Sequence, residues 1–292
     1  MKIASFTKDG RTRLGLVSGG SIIDLAAADP TLPTALRGLL DLGEAGMARL
    51  RQVDPAHPAR YALSAVRLEP PIRNPSKYLA IGMNYQDHAA EAVRKGVKIP
   101  DTQVWFNKQV SCITGPFDPI DMPRISSQLD YEVELGVVIG RRCRHVAAED
   151  AATVIAGYFV ANDVTVRDWQ HRTMTWTLGK SFDTHGPIGP WMVTADEIAD
   201  PHNLGMRMIV NGNTVQNGNT GLMIHNIYKQ IEFLTTVMTL EPGDLIATGT
   251  PAGVGAALEP PRFLKVGDVM RVEIDGIGYI ENAVRAEPPA ST

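Results

Sequence analysis

Asp130-Tyr131-Glu132-Val133-Glu134-Leu135-Gly136-Val137-Val138-Ile139-Gly140 is the stretch from which the fold is read. Val133, Leu135, Val137 and Ile139 alternate, the period-two pattern of a strand with one face in a core. On that geometry Glu132 and Glu134 share the opposite face. Side-by-side carboxylates repel and raise one another's pKa, and a hard cation between them removes the conflict. The spacing by itself leaves two readings open: an exposed edge strand with two solvated glutamates, or half of a cation site.

The flanking chain extends the β reading. Residues 157–162 form a short apolar run. Met206, Met208 and Val210 alternate into Asn211-Gly212, and Met270, Val272 and Ile274 alternate into Asp275-Gly276. Both dipeptides are hairpin signals. Residues 2–7, 13–17 and 21–24 read as short strands turned at Asp9-Gly10 and Gly19-Gly20. Helical spacing is confined to residues 33–54 and to Ile224, Ile227, Tyr228, Ile231, Leu234, Val237 and Met238. The latter run stops before Pro242-Gly243. There are no repeats and no regular strand–helix alternation. The expected class is therefore α+β, mainly β, with a largely antiparallel core. Pro55, Pro58, Pro70, Pro71 and Pro75 punctuate the chain, so a small N-terminal domain is expected at 1–70 and the main domain at 71–292.

Composition narrows the function classes. The 292 residues are 44% hydrophobic and 21% charged, which excludes a disordered or low-complexity chain. A net charge of −4 and no basic tract argue against nucleic acid or an anionic membrane as partner. Two cysteines, Cys112 and Cys143, make neither a disulfide framework nor a four-cysteine zinc site. No signal-peptide pattern and no apolar run of spanning length are present, so the expected location is the cytoplasm.

A third carboxylate bears on the glutamate pair. Asp163 ends the apolar run Phe159-Val160-Ala161-Asn162, where it serves as a cap or as a ligand. Two glutamates, an aspartate and water would suit Mg2+, Mn2+ or Ca2+ rather than zinc. If residues 164–170 are helical, Arg167 lies one turn from Asp163 and Gln170 one turn further, near a bound anionic substrate or merely paired on a surface helix. Lys180 lies among glycines and prolines, with Gly186-Pro187 and Gly189-Pro190 suggesting a shaped loop. The run Thr248-Gly249-Thr250-Pro251-Ala252-Gly253-Val254-Gly255 is no Walker A loop. It reads as a plain turn or as a loop whose amides and Thr250 hydroxyl hold a carboxylate. In Gly82-Met83-Asn84-Tyr85-Gln86-Asp87-His88-Ala89-Ala90-Glu91, His88 and Glu91 sit at i and i+3 on a helix. They form a solvated pair or a general base for water. Gly96, Pro100 and the cations Arg94, Lys95 and Lys98 suggest a lid over 84–100 that stays open until ligand binds.

Taken together and in this order, the 81–91 run, Asp130 to Leu135, Asn162-Asp163, Lys180 and the 249–255 loop resemble the fumarylacetoacetate hydrolase family over about residues 75–285. The resemblance implies a mixed β-roll behind a small N-terminal domain, usually as a homodimer. It implies Glu132, Glu134 and Asp163 as ligands of Mg2+, or of Mn2+ or Ca2+, and Lys180 as a catalytic lysine beside the metal. Arg167, Gln170 and Thr250 would contact the substrate, and His88 with Glu91 would activate water. Met83 stands at a position that varies in the family, where members often carry a basic or other residue. The implied activity is hydrolysis of a carbon–carbon bond in an acylpyruvate-like 2,4-dioxo acid, giving pyruvate and a carboxylic acid. The same chemistry also serves a lyase or isomerase, such as an oxaloacetate-type decarboxylase or a dienedioate isomerase.

Overall fold

Through the centre of the computed structural model, which describes residues 1–94, 96 and 98–289, runs the strand Val133–Ile139, with all seven residues buried. Both of its faces are covered, so alternation separates two cores rather than core from solvent. Val133, Leu135, Val137 and Ile139 join one core with Val160, Met206, Met208, Ile231, Leu234 and Val272. Val138 faces a second core with Ile3, Leu14, Leu39, Phe159 and Ala161. The neighbouring strand Ile155–Asn162 pairs antiparallel to it, with Gly136 opposite Phe159. A Cβ on Gly136 would lie 2.3 Å from the Phe159 ring, so the glycine is where that aromatic fits.

The main sheet runs in the order Arg60–Ala62, Ser21–Asp24, Arg11–Ser18, Lys2–Lys8, Gly186–Thr194, Ile155–Asn162, Val133–Ile139, Leu245–Ala247, Tyr78–Gly82, Val104–Asn107. Within this path only the pairing of Leu245–Ala247 with Tyr78–Gly82 is parallel. A second sheet contains the two hairpins read from Asn211-Gly212 and Asp275-Gly276: Gly205–Val210 with Asn213–Asn219, and Val269–Ile274 with Gly278–Ala286. The protein is thus mainly β with several sheets, as the alternation pattern indicates.

Several local expectations change. The helix expected over 33–54 is two helices, Leu36–Asp41 and Gly43–Arg51, because Gly43 adopts φ +56° and turns the chain. The later helix spans Ile227–Val237, not from Ile224; Asn226 caps it by accepting from the Lys229 amide at 3.0 Å. The segment expected as a loop after Lys180 is the strand Gly186–Thr194, which links the N-terminal Lys2–Lys8 to Ile155–Asn162. Its prolines mask it in the sequence; the ladder shifts register between Tyr158 and Val160 to accommodate the 190–192 region. Among the described residues no helix is long and apolar enough to cross a membrane.

Candidate active site

The sheet brings its acidic residues together where two central strands end. Glu134 lies in Val133–Ile139, while Glu132 lies just before that strand rather than inside it. Asp163 directly follows Ile155–Asn162. Backbone and amide contacts join the two strand ends: the Asp163 amide donates to the Glu132 carbonyl at 2.9 Å, and the Glu132 amide donates to Asn162 Oδ1 at 3.0 Å. As a result one oxygen from each of Glu132, Glu134 and Asp163 falls within 4.8 Å of the others, and all three residues are buried.

Cations hold two of these carboxylates but not the third. Lys180 Nζ donates to Glu132 Oε2 at 2.7 Å and to Asp163 Oδ2 at 2.6 Å. Lys108, fully buried, donates to the other Asp163 oxygen at 2.6 Å and to the Lys180 carbonyl. The sequence reading missed Lys108; its one signal is a lysine directly after the strand Val104–Asn107. Burial alone would raise the Glu132 carboxyl, but Lys180 and then Arg167 outweigh it and hold it at about 2. Glu134 behaves in the opposite way. Burial, then the charges of Asp163 and Glu132, push its carboxyl well above the usual range. Its Oε2 accepts from the Gly249 amide at 2.8 Å.

Arg167 does not pair with Asp163. Thr165–Val166 is a short strand and the helix begins only at Arg167, so the one-turn spacing never forms. The guanidinium instead reaches Asp130 Oδ2 at 2.8 Å and Glu132 Oε1 at 2.7 Å, and donates to Gln170 Oε1 at 3.0 Å. Its Nη2 is buried without a hydrogen-bond partner among the described residues.

The glycine-rich loop does hold carboxylates, but they belong to the protein. The Gly249 amide serves Glu134, the Gly253 amide serves Glu91 at 3.1 Å, and the Gly255 and Ala256 amides serve Asp130 at 2.8 and 2.9 Å. Gln216, also missed in the sequence, ties this loop to the glutamate strand. Its Nε2 donates to Thr250 Oγ1 at 2.9 Å, and its Oε1 accepts from the Val133 amide at 3.0 Å.

The helix Gln86–Arg94 carries the His–Glu pair already assembled: His88 Nδ1 lies 3.1 Å from Glu91 Oε2. The lid was expected open, with His88 away from the carboxylates; here His88 lines the same cavity as Glu132 and Glu134. Glu91 is docked on the Gly253 amide, and Asn84 anchors the helix start by donating to the Thr248 carbonyl at 2.8 Å. Of the expected lid cations, Lys95 lies outside the described residues. The cavity measures about 50 Å3 and is also lined by Met83, Phe106, Arg167, Gln170, Trp176, Lys180 and Thr250.

The donor set fits a divalent cation. Asp130, Glu132, Glu134 and Asp163 face the ammonium and guanidinium groups of Lys108, Arg167 and Lys180, which leaves one negative charge in excess if all are ionised. That excess rests on Glu134, the triad member without a cationic partner among the described residues. An all-oxygen triad with one such carboxylate suits Mg2+, Mn2+ or Ca2+.

The acidic triad and the His–Glu pair thus meet at the end of a buried mixed sheet. The family model described as fumarylacetoacetate (FAA) hydrolase C-terminal matches residues 77–285, and the chain belongs to that family. It is 46% identical over 276 residues to the mitochondrial oxaloacetate tautomerase of Xenopus laevis, covering 94% of this chain and 86% of that protein. The fumarylacetoacetate hydrolase of Exiguobacterium antarcticum superposes with a TM-score of 0.85 at 38% identity, over 98% of this chain and all (100%) of that one. The maleylpyruvate hydrolase of Sphingobium sp. SYK-6, solved with manganese(II) and pyruvate, gives a TM-score of 0.77 at 34% identity, over 99% of this chain and 100% of that one. Family members thus include tautomerases, isomerases and hydrolases of small acids.

Proposed function

We propose that this chain is a divalent-metal-dependent enzyme of short 2-oxo acids whose His88 moves a proton at the substrate. Keto–enol tautomerisation of oxaloacetate is the reaction favoured. The observation that carries the reading is one cavity lined by His88, which Glu91 holds at Nδ1, and by Glu132 and Glu134, which converge with Asp163 behind them.

Glu132, Glu134 and Asp163 would hold the cation. When bound, it would supply positive charge to the acid's carboxylate and 2-oxo oxygens, making the adjacent carbon more acidic. The chain's own groups do the rest. Glu91 occupies His88 Nδ1, so proton transfer runs through Nε2. His88 takes a proton from the carbon beside the oxo group while Glu91 balances the charge it gains, and then returns that proton to the oxo oxygen, which leaves the enol and the neutral imidazole. Lys180 and the buried Arg167 Nη2 place positive charge and a hydrogen-bond donor beside the acid. Gln170 and Thr250 complete the polar wall. The kinship with a tautomerase supports a compact acid.

The second reading is hydrolysis of acylpyruvate-like 2,4-dioxo acids, with His88 acting on water. It is supported by the same pair and by the likeness to a maleylpyruvate hydrolase. With Mn2+ or Mg2+ present, enol absorbance of oxaloacetate should relax faster with enzyme, and EDTA should abolish the effect. A higher kcat/KM for acetylpyruvate cleavage than for oxaloacetate tautomerisation would make hydrolysis the main activity. Activity insensitive to EDTA would remove the metal from the reading.

A further inference from the structure

Trp176 stands in the irregular segment 171–179 with φ +60°, a conformation that bulky L residues rarely adopt. In the same segment Met174 is 98% exposed and Leu178 is 51% exposed. What holds the indole is a fitted seat. A Cβ on Gly82 would lie 2.3 Å from Trp176 Cζ3 and 2.9 Å from Cη2, so the ring rests on bare backbone. Its other neighbour is Phe106, with ring centroids 5.7 Å apart at 58°. Phe106 in turn lies under Lys180, whose Nζ is 5.0 Å from the ring centroid. Gly82 ends the strand Tyr78–Gly82, just before the segment that leads into the His88 helix. One indole therefore touches the strand leading to the proposed base and the aromatic ring beneath the lysine.

The cavity of about 50 Å3 is far below the roughly 300–1,000 Å3 of ordinary small-molecule sites, too tight for a four-carbon oxo acid as it stands. Some wall must yield. Glu132, Arg167 and Lys180 are tied by ion pairs, Thr250 by Gln216, and Ile81 and Phe106 by the sheet. Trp176 is the largest lining side chain, and it sits on strained, irregular backbone.

We propose that Trp176, seated on Gly82, is the movable wall of the site and sets the size of the acid it admits; this rests on the 2-oxo acid reading above. The test uses two variants that unseat the ring from opposite sides. Trp176→Ala deletes it, and Gly82→Ala puts a methyl where it rests. Oxaloacetate and the bulkier phenylpyruvate serve as substrates for enol–keto exchange. Both variants should raise the phenylpyruvate to oxaloacetate ratio of kcat/KM by about tenfold or more, the scale at which pocket bulk discriminates. A second readout needs neither substrate nor metal. With 5-fluorotryptophan incorporated and the Trp176 signal assigned through Trp176→Phe, Gly82→Ala should move that fluorine resonance more than those of Trp105, Trp169 and Trp191. A Trp176 resonance unmoved by Gly82→Ala would overturn the seat. An unchanged substrate ratio in both variants would overturn size selection. A parent enzyme inactive on both acids would sink the functional reading and size selection with it, while the fluorine signal would still decide the seat.

Discussion

Glu134→Gln separates the cation reading of the triad from a purely structural one. Glu134 is 1% exposed, and burial, then Asp163 and Glu132, raise its carboxyl well above its ordinary value of 4.5. Without metal its protonated form is therefore favoured to higher pH than in a free glutamate. The stability contributed by that proton is complete below the unfolded value and is lost as pH rises through the raised folded value. A metal ligand must be ionised, so Mn2+ binding should expel about one proton and tighten as pH rises. The glutamine retains an oxygen for the Gly249 amide, so the metal-free variant should melt within about 1 kcal/mol of the parent. It cannot supply the charge. A hundredfold loss of affinity is about 2.7 kcal/mol, modest beside the roughly 4 kcal/mol for two unit charges 4 Å apart at an effective dielectric of 20. Mn2+ at a hundred times the parental Kd stabilises the parent by about 2.7 kcal/mol, or roughly 5 °C at about 2 °C per kcal/mol for so long a chain. The same concentration should shift Glu134→Gln by about 1 °C. The assays are calorimetric Mn2+ titration in two buffers of different ionisation enthalpy and thermal melts at pH 6 and pH 8. A variant with parental Mn2+ affinity and an unchanged proton count would refute the reasoning.

Three further outcomes follow from the same contacts. His88→Ala should lower oxaloacetate tautomerisation roughly 10²–10⁴-fold while leaving the melting temperature nearly unchanged, and Glu91→Gln should lower it less; parental rates in both would remove the pair from the mechanism. Lys108→Met should destabilise the fold by about 3–5 kcal/mol, because Asp163 Oδ1 and the Lys180 carbonyl lose a fully buried donor; a urea midpoint at the parental value would contradict this. Gly136→Ala should cost about 1–3 kcal/mol or more in urea unfolding, since the new methyl meets the Phe159 ring at 2.3 Å; a neutral result would mean the strands separate there at little cost.

Much of the site was legible because its signals are local. The Glu132/Glu134 spacing and Asp163 at a strand end need only strand geometry and lead directly to the triad. The His88/Glu91 spacing needs only a helix, and the helix Gln86–Arg94 supplies it. Local spacing also misled where the element was not the one assumed. Asp163 and Arg167 looked like a helical pair, but the helix begins only at Arg167 itself.

The sequence by itself determined the mainly β class, both hairpins and the resemblance to the fumarylacetoacetate hydrolase family, because alternation and turn dipeptides act over a few residues. The tertiary structure alone decided how charges separated by long stretches of chain share one site. Lys108 meets Asp163 across 55 positions, and Gly249 meets Glu134 across 115. Nothing in the local chain encodes those meetings. The order of strands in the sheet creates them, by bringing Leu245–Ala247 beside Val133–Ile139 so that the glycine loop lies over the glutamates. Burial then gives the carboxylates different properties: cations are near Glu132 and Asp163, while Glu134 has an amide and the raised affinity for a proton that a divalent cation would displace.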